Sequence, residues 1–187
     1  MIKRRNKKGC TVIMEMNPMF AQGNRSPMYL SVTGMITQIM QGSRSGYGVC
    51  SQMIEVQDDQ GGITNFFINH DTYVVGFETL YQGMPVEVFY NANLPAALIY
   101  PPQYVAAVVA PRQENQSVYV GFFDRNLLAA DGSLRLNLAR DTEVVTKNNQ
   151  TFRGNPGGHV LVVLYSQTTR SIPPQTTPEK VVVMCGL

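Results

Sequence analysis

His70 and His159 are the first side chains in this chain that could do chemistry. A metal site needs converging ligands, and an activated nucleophile needs a paired base. The two histidines hold non-equivalent places in the pattern described below, and neither has such companions in the sequence. Cys10, Cys50 and Cys185 are odd in number and widely spaced, which suits neither a metal cluster nor a disulfide framework. Cys50 and Cys185 lie in apolar, strand-like runs and are expected to be core thiols. This cysteine usage points to a cytoplasmic protein. No Gly-rich phosphate loop follows a strand and opens a helix. The expectation is therefore a non-enzymatic protein with no catalytic residue, metal or cofactor.

Aromatic rings and guanidinium groups offer a different chemistry. Single-stranded nucleic acids are held by stacking bases on exposed rings within a basic groove. The aromatic candidates are Phe67, Phe89, Tyr100 and Tyr104, with Tyr47; the basic ones are Arg135, Arg140 and Arg153, with Arg125 and Arg170. Charge divides them. Residues 1–27 carry six basic side chains against Glu15, residues 28–111 carry Arg44 against six acidic ones, and residues 112–187 carry eight basic and six acidic. The aromatic-rich stretch is thus the acidic one and repels phosphates. Packing between domains, or against a partner, is the favoured role for Phe67 and Phe89.

The elements that must position these residues occur twice. Asp71-Thr72-Tyr73-Val74-Val75 returns 70 residues later as Asp141-Thr142-Glu143-Val144-Val145. At that offset Gly62, Phe66 and Ile68 return as Gly132, Leu136 and Leu138. Gly83 to Tyr90 matches Gly158 to Tyr165 at an offset of 75, and Gly34 matches Gly121. Pro101-Pro102-Gln103 matches Pro173-Pro174-Gln175. An ordered series of matches reads as an internal duplication. The Asp-Thr pairs end a strand before a turn, where both side chains are expected to bond nearby backbone N–H groups.

The domains are then a basic arm over 1–27, a first unit over 28–110, a linker over 111–116 and a second unit over 117–187. Met28 to Met40 reads as a long first strand with a bulge expected at Gly34. Val49 to Val56 and Ile63 to Ile68 follow across the Asp58 to Gly62 turn. By alignment with Leu134, Leu136 and Leu138, residues Thr64, Phe66 and Ile68 face the core, while Asn65, Phe67 and Asn69 face out. Phe77 to Gln82 reads as one helical turn stopped by Gly83. Val86, Val88 and Tyr90 alternate with Glu87 and Phe89 in a fourth strand, and Tyr104 to Val109 is the fifth.

Five strands with a helical turn between the third and fourth resemble the OB-fold, a small Greek-key barrel. The fold class expected is all-β: two tandem five-stranded OB-like barrels. The chain also resembles a family of bacterial proteins of this length, typical of clostridia, through Tyr100-Pro-Pro-Gln-Tyr104 and the Thr169 to Pro173 run. That resemblance implies no particular activity.

The N-terminus begins like the basic region of a signal peptide, but Glu15 and Asn17-Pro18 interrupt the apolar stretch that should follow. No apolar run reaches the roughly 18 residues that suggest a membrane span, so no membrane insertion is expected. Val12-Ile13-Met14, Met16 and Met19-Phe20 form a Met-rich patch suited to covering an edge strand or a partner. The function expected is protein–protein interaction or self-association, with the loop Asn91 to Tyr104 open to a partner. The alternative is single-stranded nucleic-acid binding by the second unit and the basic arm.

Overall fold

A computed structural model describes residues 28–42 and 50–186. The basic arm, its Met-rich patch, Cys10, Arg44 and Tyr47 lie outside them. The described chain is all-β. Its first half contains β1 (Tyr29–Gln41), β2 (Gln52–Gln57), β3 (Ile63–Ile68), β4 (Tyr73–Val74), β5 (Pro85–Asn91) and β6 (Gln103–Pro111). The strands run β3-β2-β1-β5-β6, and parallel pairing of β3 with β6 closes a five-stranded barrel. Strand β4 adds to the far end of β6.

Closure depends on β1. Its first part pairs with β5 and its last part with β2. The bulge that lets it turn lies between Ile36 and Gln38, not at Gly34. Gly34 answers to a different constraint: a Cβ there would stand 2.2 Å from the Gln57 carbonyl oxygen. Period-2 alternation then fills the barrel with Ile36, Ile54, Val56, Phe66, Val86 and Val88.

The second half contains β7 (Ser117–Phe123), β8 (Arg135–Leu136), β9 (Glu143–Thr146), β10 (His159–Tyr165), β11 (Gln175–Thr176) and β12 (Lys180–Met184). Strands β7-β10-β12-β9 form one sheet, and β8 pairs in parallel with β11. Isolated bridges Phe123–Ala129 and Leu128–Arg135 lie in the stretch that joins β7 to β8.

Residues related by the sequence offsets have like pairings in the two halves. Gly34 faces Val86, and Gly121 faces Leu161. Phe66 faces Tyr104, and Leu136 faces Thr176. Tyr73 faces Val108, and Glu143 faces Lys180, both in parallel.

The halves share a core. Tyr73, Phe89, Val108 and Ala110 of the first pack with Val145, Val160, Val162 and Val182 of the second. Phe89 does point away from its barrel interior, but the second half covers that face and leaves the ring 6% exposed. A Phe buried this way stabilises by roughly 2–3 kcal/mol.

Several expectations need correction. The helical turn is a 3-10 turn at Val75–Phe77, because Gly76 and Phe77 take left-handed φ values of 73° and 56° that end any helix before Gln82. The second half has no equivalent among its described elements. Cys50 and Cys185 are exposed rather than in the core, since one precedes β2 and the other follows β12. Asn65 is buried although it points outward, because the backbone of Pro102 and Gln103 runs alongside it. Asp71 and Asp141 are exposed, and the threonine beside each makes the local bond to backbone instead.

Candidate functional site

The outer side of β2, β3 and β6 is built in rows. Pairing register sets Met53, Phe67 and Val105 side by side, and the next row is Glu55, Asn65 and Gln103. Paired residues project to the same side of a sheet. Phe67 is 39% and Val105 46% exposed, so the first row is an apolar strip open to solvent.

The loop between β5 and β6, residues 92–102, leads into β6 on the far side of the polar row of Glu55, Asn65 and Gln103. Leu94, Leu98, Ile99 and Tyr100 are all exposed, Leu98 completely. The loop is nevertheless anchored. Leu94 N–H donates to the Asn91 carbonyl at 3.2 Å, Ala97 bridges to Gln103, and Pro102 accepts from Asn65 N–H at 2.9 Å. Beside that return, the Asn65 carbonyl oxygen Oδ1 is buried with no hydrogen-bond partner among the described residues. Large apolar side chains left exposed in such numbers on a folded protein mark a candidate interaction site.

Strand polarity gathers other groups at this end of the barrel. The start of β1, the β2–β3 turn and the loop 92–102 all lie there. Met28 carbonyl accepts from Ala92 N–H at 2.8 Å. Asp58 and Asp59 occupy the turn, where Asp58 Oδ1 accepts from Gln60 and Gly62 N–H. Residues 28–42 and 50–111 contain six acidic side chains and not one Lys or Arg. Of these, Asp58 and Asp59 stand at this end, while Asp71 follows the opposite end of β3.

The aromatic candidates separate in three dimensions. Phe67 and Tyr100 are exposed, but Phe89 lies in the shared core. Tyr104 turns inward, stacks on Tyr90 with ring centroids 4.1 Å apart, and meets Phe66 at 6.1 Å. Burial, with the neighbouring Tyr104 hydroxyl, raises the Tyr90 pKa. A stacking platform of four rings is not assembled.

The arginines lie on five segments of the second half. Arg125 sits in the turn after β7, Arg135 on β8 and Arg140 in the turn before β9. Arg153 lies between β9 and β10, and Arg170 between β10 and β11. None forms an ion pair among the described residues, where the ion pairs are Lys180–Glu143 and the His70–Asp71 contact. The face matching the Phe67 strip is polar here, with Asn137 Nδ2 donating to Gln175 Oε1 at 3.0 Å.

A groove of about 830 Å³ runs between the halves. Tyr73, Val74, Phe77 and Val183 supply its apolar walls, and His70, Glu78, Asn148 and Cys185 its polar rim. Lys147 crosses it and donates to the His70 and Asp71 carbonyls, joining the halves. Phe77 meets Tyr73 edge-on at 5.8 Å.

The most perturbed titrating group is Tyr119. Burial, together with nearby Asp131, raises its pKa to about 12, against the lowering effect of its Ser133 hydrogen bond. Its hydroxyl donates to Asp131 Oδ1 at 3.0 Å and accepts from Ser133 Oγ at 3.1 Å. A phenol held protonated in this way fastens a turn and cannot serve as a base at neutral pH. Asp131 is desolvated, which opposes ionisation, but donors from Ser133 and Tyr119 outweigh this and lower its pKa. Among the described residues no group of three His, Cys, Asp or Glu side chains could hold a metal ion. No described helix is long and apolar enough to cross a membrane.

Met53 and Val105 belong to the site but stand in runs that read as ordinary strands. Leu98 and Ile99 did carry a signal, since apolar residues between Pro95 and Pro101 have no strand to bury them. A scan against protein-family models found no match, and a comparison with curated proteins found none either.

Proposed function

We propose that the protein is a non-enzymatic binding and assembly module. In this reading it consists of two copies of one five-stranded, OB-like barrel plan, and the apolar end of the first barrel takes a protein partner. The duplication is supported by pairings that follow the sequence offsets through β4, β6, β9 and β12. It is supported again by Thr72 and Thr142, which bond the Ala106 and Pro178 carbonyls at the same 2.8 Å. The second copy is then abbreviated, with two bridges in place of its second strand.

The observation that carries the function is the exposed row Phe67–Val105 together with Leu98, Ile99 and Tyr100. Large apolar side chains on an anchored loop lose little freedom on binding, which favours association. The acidic composition of the described first half, with Asp58 and Asp59 at this end, disfavours nucleic acid and favours a partner with a basic rim. Sedimentation velocity of the full chain from low to high micromolar concentration tests self-association. Affinity capture, with Leu98→Asp/Tyr100→Asp as the paired control, tests other protein partners. Association by the parent that the double variant loses, with unchanged circular dichroism, supports the reading. A parent that stays monomeric and captures nothing that the variant lacks removes it.

The unpaired arginines of the second half favour a second reading, single-strand nucleic-acid binding. Fluorescence anisotropy with labelled single-stranded DNA and RNA distinguishes the two. Binding that survives physiological salt and falls on Arg135→Gln or Arg153→Gln would establish the second.

A further inference from the structure

We propose that the groove between the two halves binds a small organic carboxylate with an apolar body, its head on Lys147 and its body against Val74 and Phe77. The site is separate from the exposed Phe67 strip and does not depend on that strip's taking a partner.

The groove follows from a difference between the halves. The 70-residue offset relates β9 to β4. After β9 the chain turns back along its own strand. Val145 bridges Thr151, and Phe152 N–H donates to the Val144 carbonyl at 2.9 Å. After β4 the chain leaves through the Val75–Phe77 turn instead. The offset then grows from 70 to 75, so the first half is five residues shorter here. Successive strand residues project to opposite faces. Tyr73 and Val74 both border the groove, which therefore opens along the edge of β4.

Its shape suits a small molecule. A volume of about 830 Å³ falls within the roughly 300–1,000 Å³ of ligand sites. Tyr73 and Val183 are buried in the core and give it a fixed floor. Phe77 is 59% exposed at its edge, and its left-handed φ of 56° is rare for a bulky residue. Backbone outliers of this kind collect at ligand clamps.

Lys147 supplies the charge. Two of its three N–H donors go to the His70 and Asp71 carbonyls, which fix the ammonium at the groove and leave the third for a ligand. No carboxylate pairs with it among the described residues. The acidic groups nearby are engaged elsewhere. Asp71 Oδ2 lies 3.4 Å from His70 Nε2, and Glu78 Oε1 folds back over Gly76, 3.6 Å from where a Cβ on that glycine would stand. Asn148 accepts the Thr146 hydroxyl on Oδ1, so its Nδ2 remains to donate at the same rim. An oriented, uncompensated ammonium beside an apolar wall holds a carboxylate by a charge-assisted hydrogen bond stronger than it would make in open water.

Fluorescence titration of the full chain tests this. The chain has no Trp, so Cys185→Trp, at an exposed rim position, gives the groove a single indole reporter. Decanoate is the probe, and decanol, with the same tail and no charge, is its control. The expected result is a saturable change in indole emission, with decanoate bound at least about tenfold more tightly than decanol and weakened by a similar factor in Lys147→Gln. Lys147→Arg should keep most of the affinity, and Leu98→Asp, on the exposed loop of the first barrel, should leave it unchanged. Equal affinity for decanoate and decanol, equal affinity in Lys147→Gln, or no saturable change would each overturn the proposal. Loss of binding in Leu98→Asp would place the probe on the loop and overturn it too. Urea midpoints check each variant's fold. Should Lys147→Gln loosen the halves, the decanoate–decanol comparison on the intact lysine decides alone.

Discussion

The Thr72 hydroxyl donates to the Ala106 carbonyl at 2.8 Å across 34 residues, while accepting the Asn69 N–H at 3.1 Å. One side chain thus closes the turn after β3 and ties it to β6. Thr142 makes the same pair of bonds, to Pro178 carbonyl and from Ala139 N–H. Thr72→Val should cost about 1–3 kcal/mol, because it keeps the shape and strands both backbone partners. Thr72→Ser should cost less. Urea denaturation measures both, and a valine variant as stable as the parent would show the hydroxyl to be dispensable.

The shared core predicts that the two halves unfold together. Parent protein should give one denaturant transition by circular dichroism and by tyrosine fluorescence. Phe89→Ala empties a buried site between the halves and should cost about 3–5 kcal/mol. Two separate transitions in the parent would mean that the shared core does not couple them.

Alkaline pH should destabilise the fold, in part through Tyr119. Its folded pKa is about 12 against an ordinary value of 10.0. Between those values the unfolded chain releases the proton and the folded chain keeps it, so stability is full below pH 10 and falls as pH rises. Burial raises the pKa values of Tyr29, Tyr73, Tyr90 and Tyr165 as well, so they act with the same sign. Tyr119→Phe should flatten part of the slope between pH 10 and 12 in urea titrations, and an unchanged slope would count against this assignment.

Asn65 should be replaceable by Leu at little cost. Its Oδ1 is buried and unpartnered among the described residues, and an apolar side chain of similar shape removes that penalty. Thermal unfolding should show Asn65→Leu within about 1 kcal/mol of the parent, or more stable. A loss above about 2 kcal/mol would point to a partner for the amide.

Nucleic-acid binding, if measured by anisotropy, should be weak and salt-sensitive. Affinity should fall steeply between 50 and 200 mM salt, roughly in proportion to the phosphates contacted. A shallow salt slope with nanomolar affinity would reverse the order of the two functional readings.

Much of the all-β plan was legible in the sequence, because strands write themselves locally. Alignment with the alternating Leu134, Leu136 and Leu138 placed Phe66 in and Phe67 out, and Asp58 to Gly62 marked its turn. The matched stretches also lined up residues that do pair alike, such as Gly34 and Gly121. What the sequence could not decide was which outward faces stay outward. Phe67 and Phe89 are both aromatics on the outer side of a strand, yet one is 39% and the other 6% exposed. That difference is set by where the second half docks. Asn65 is buried by the Pro102–Gln103 backbone of its own half, and Cys50 and Cys185 are exposed because they lie just outside β2 and β12. Local pattern determines the direction of a side chain, and only the tertiary packing of distant segments determines what it meets there.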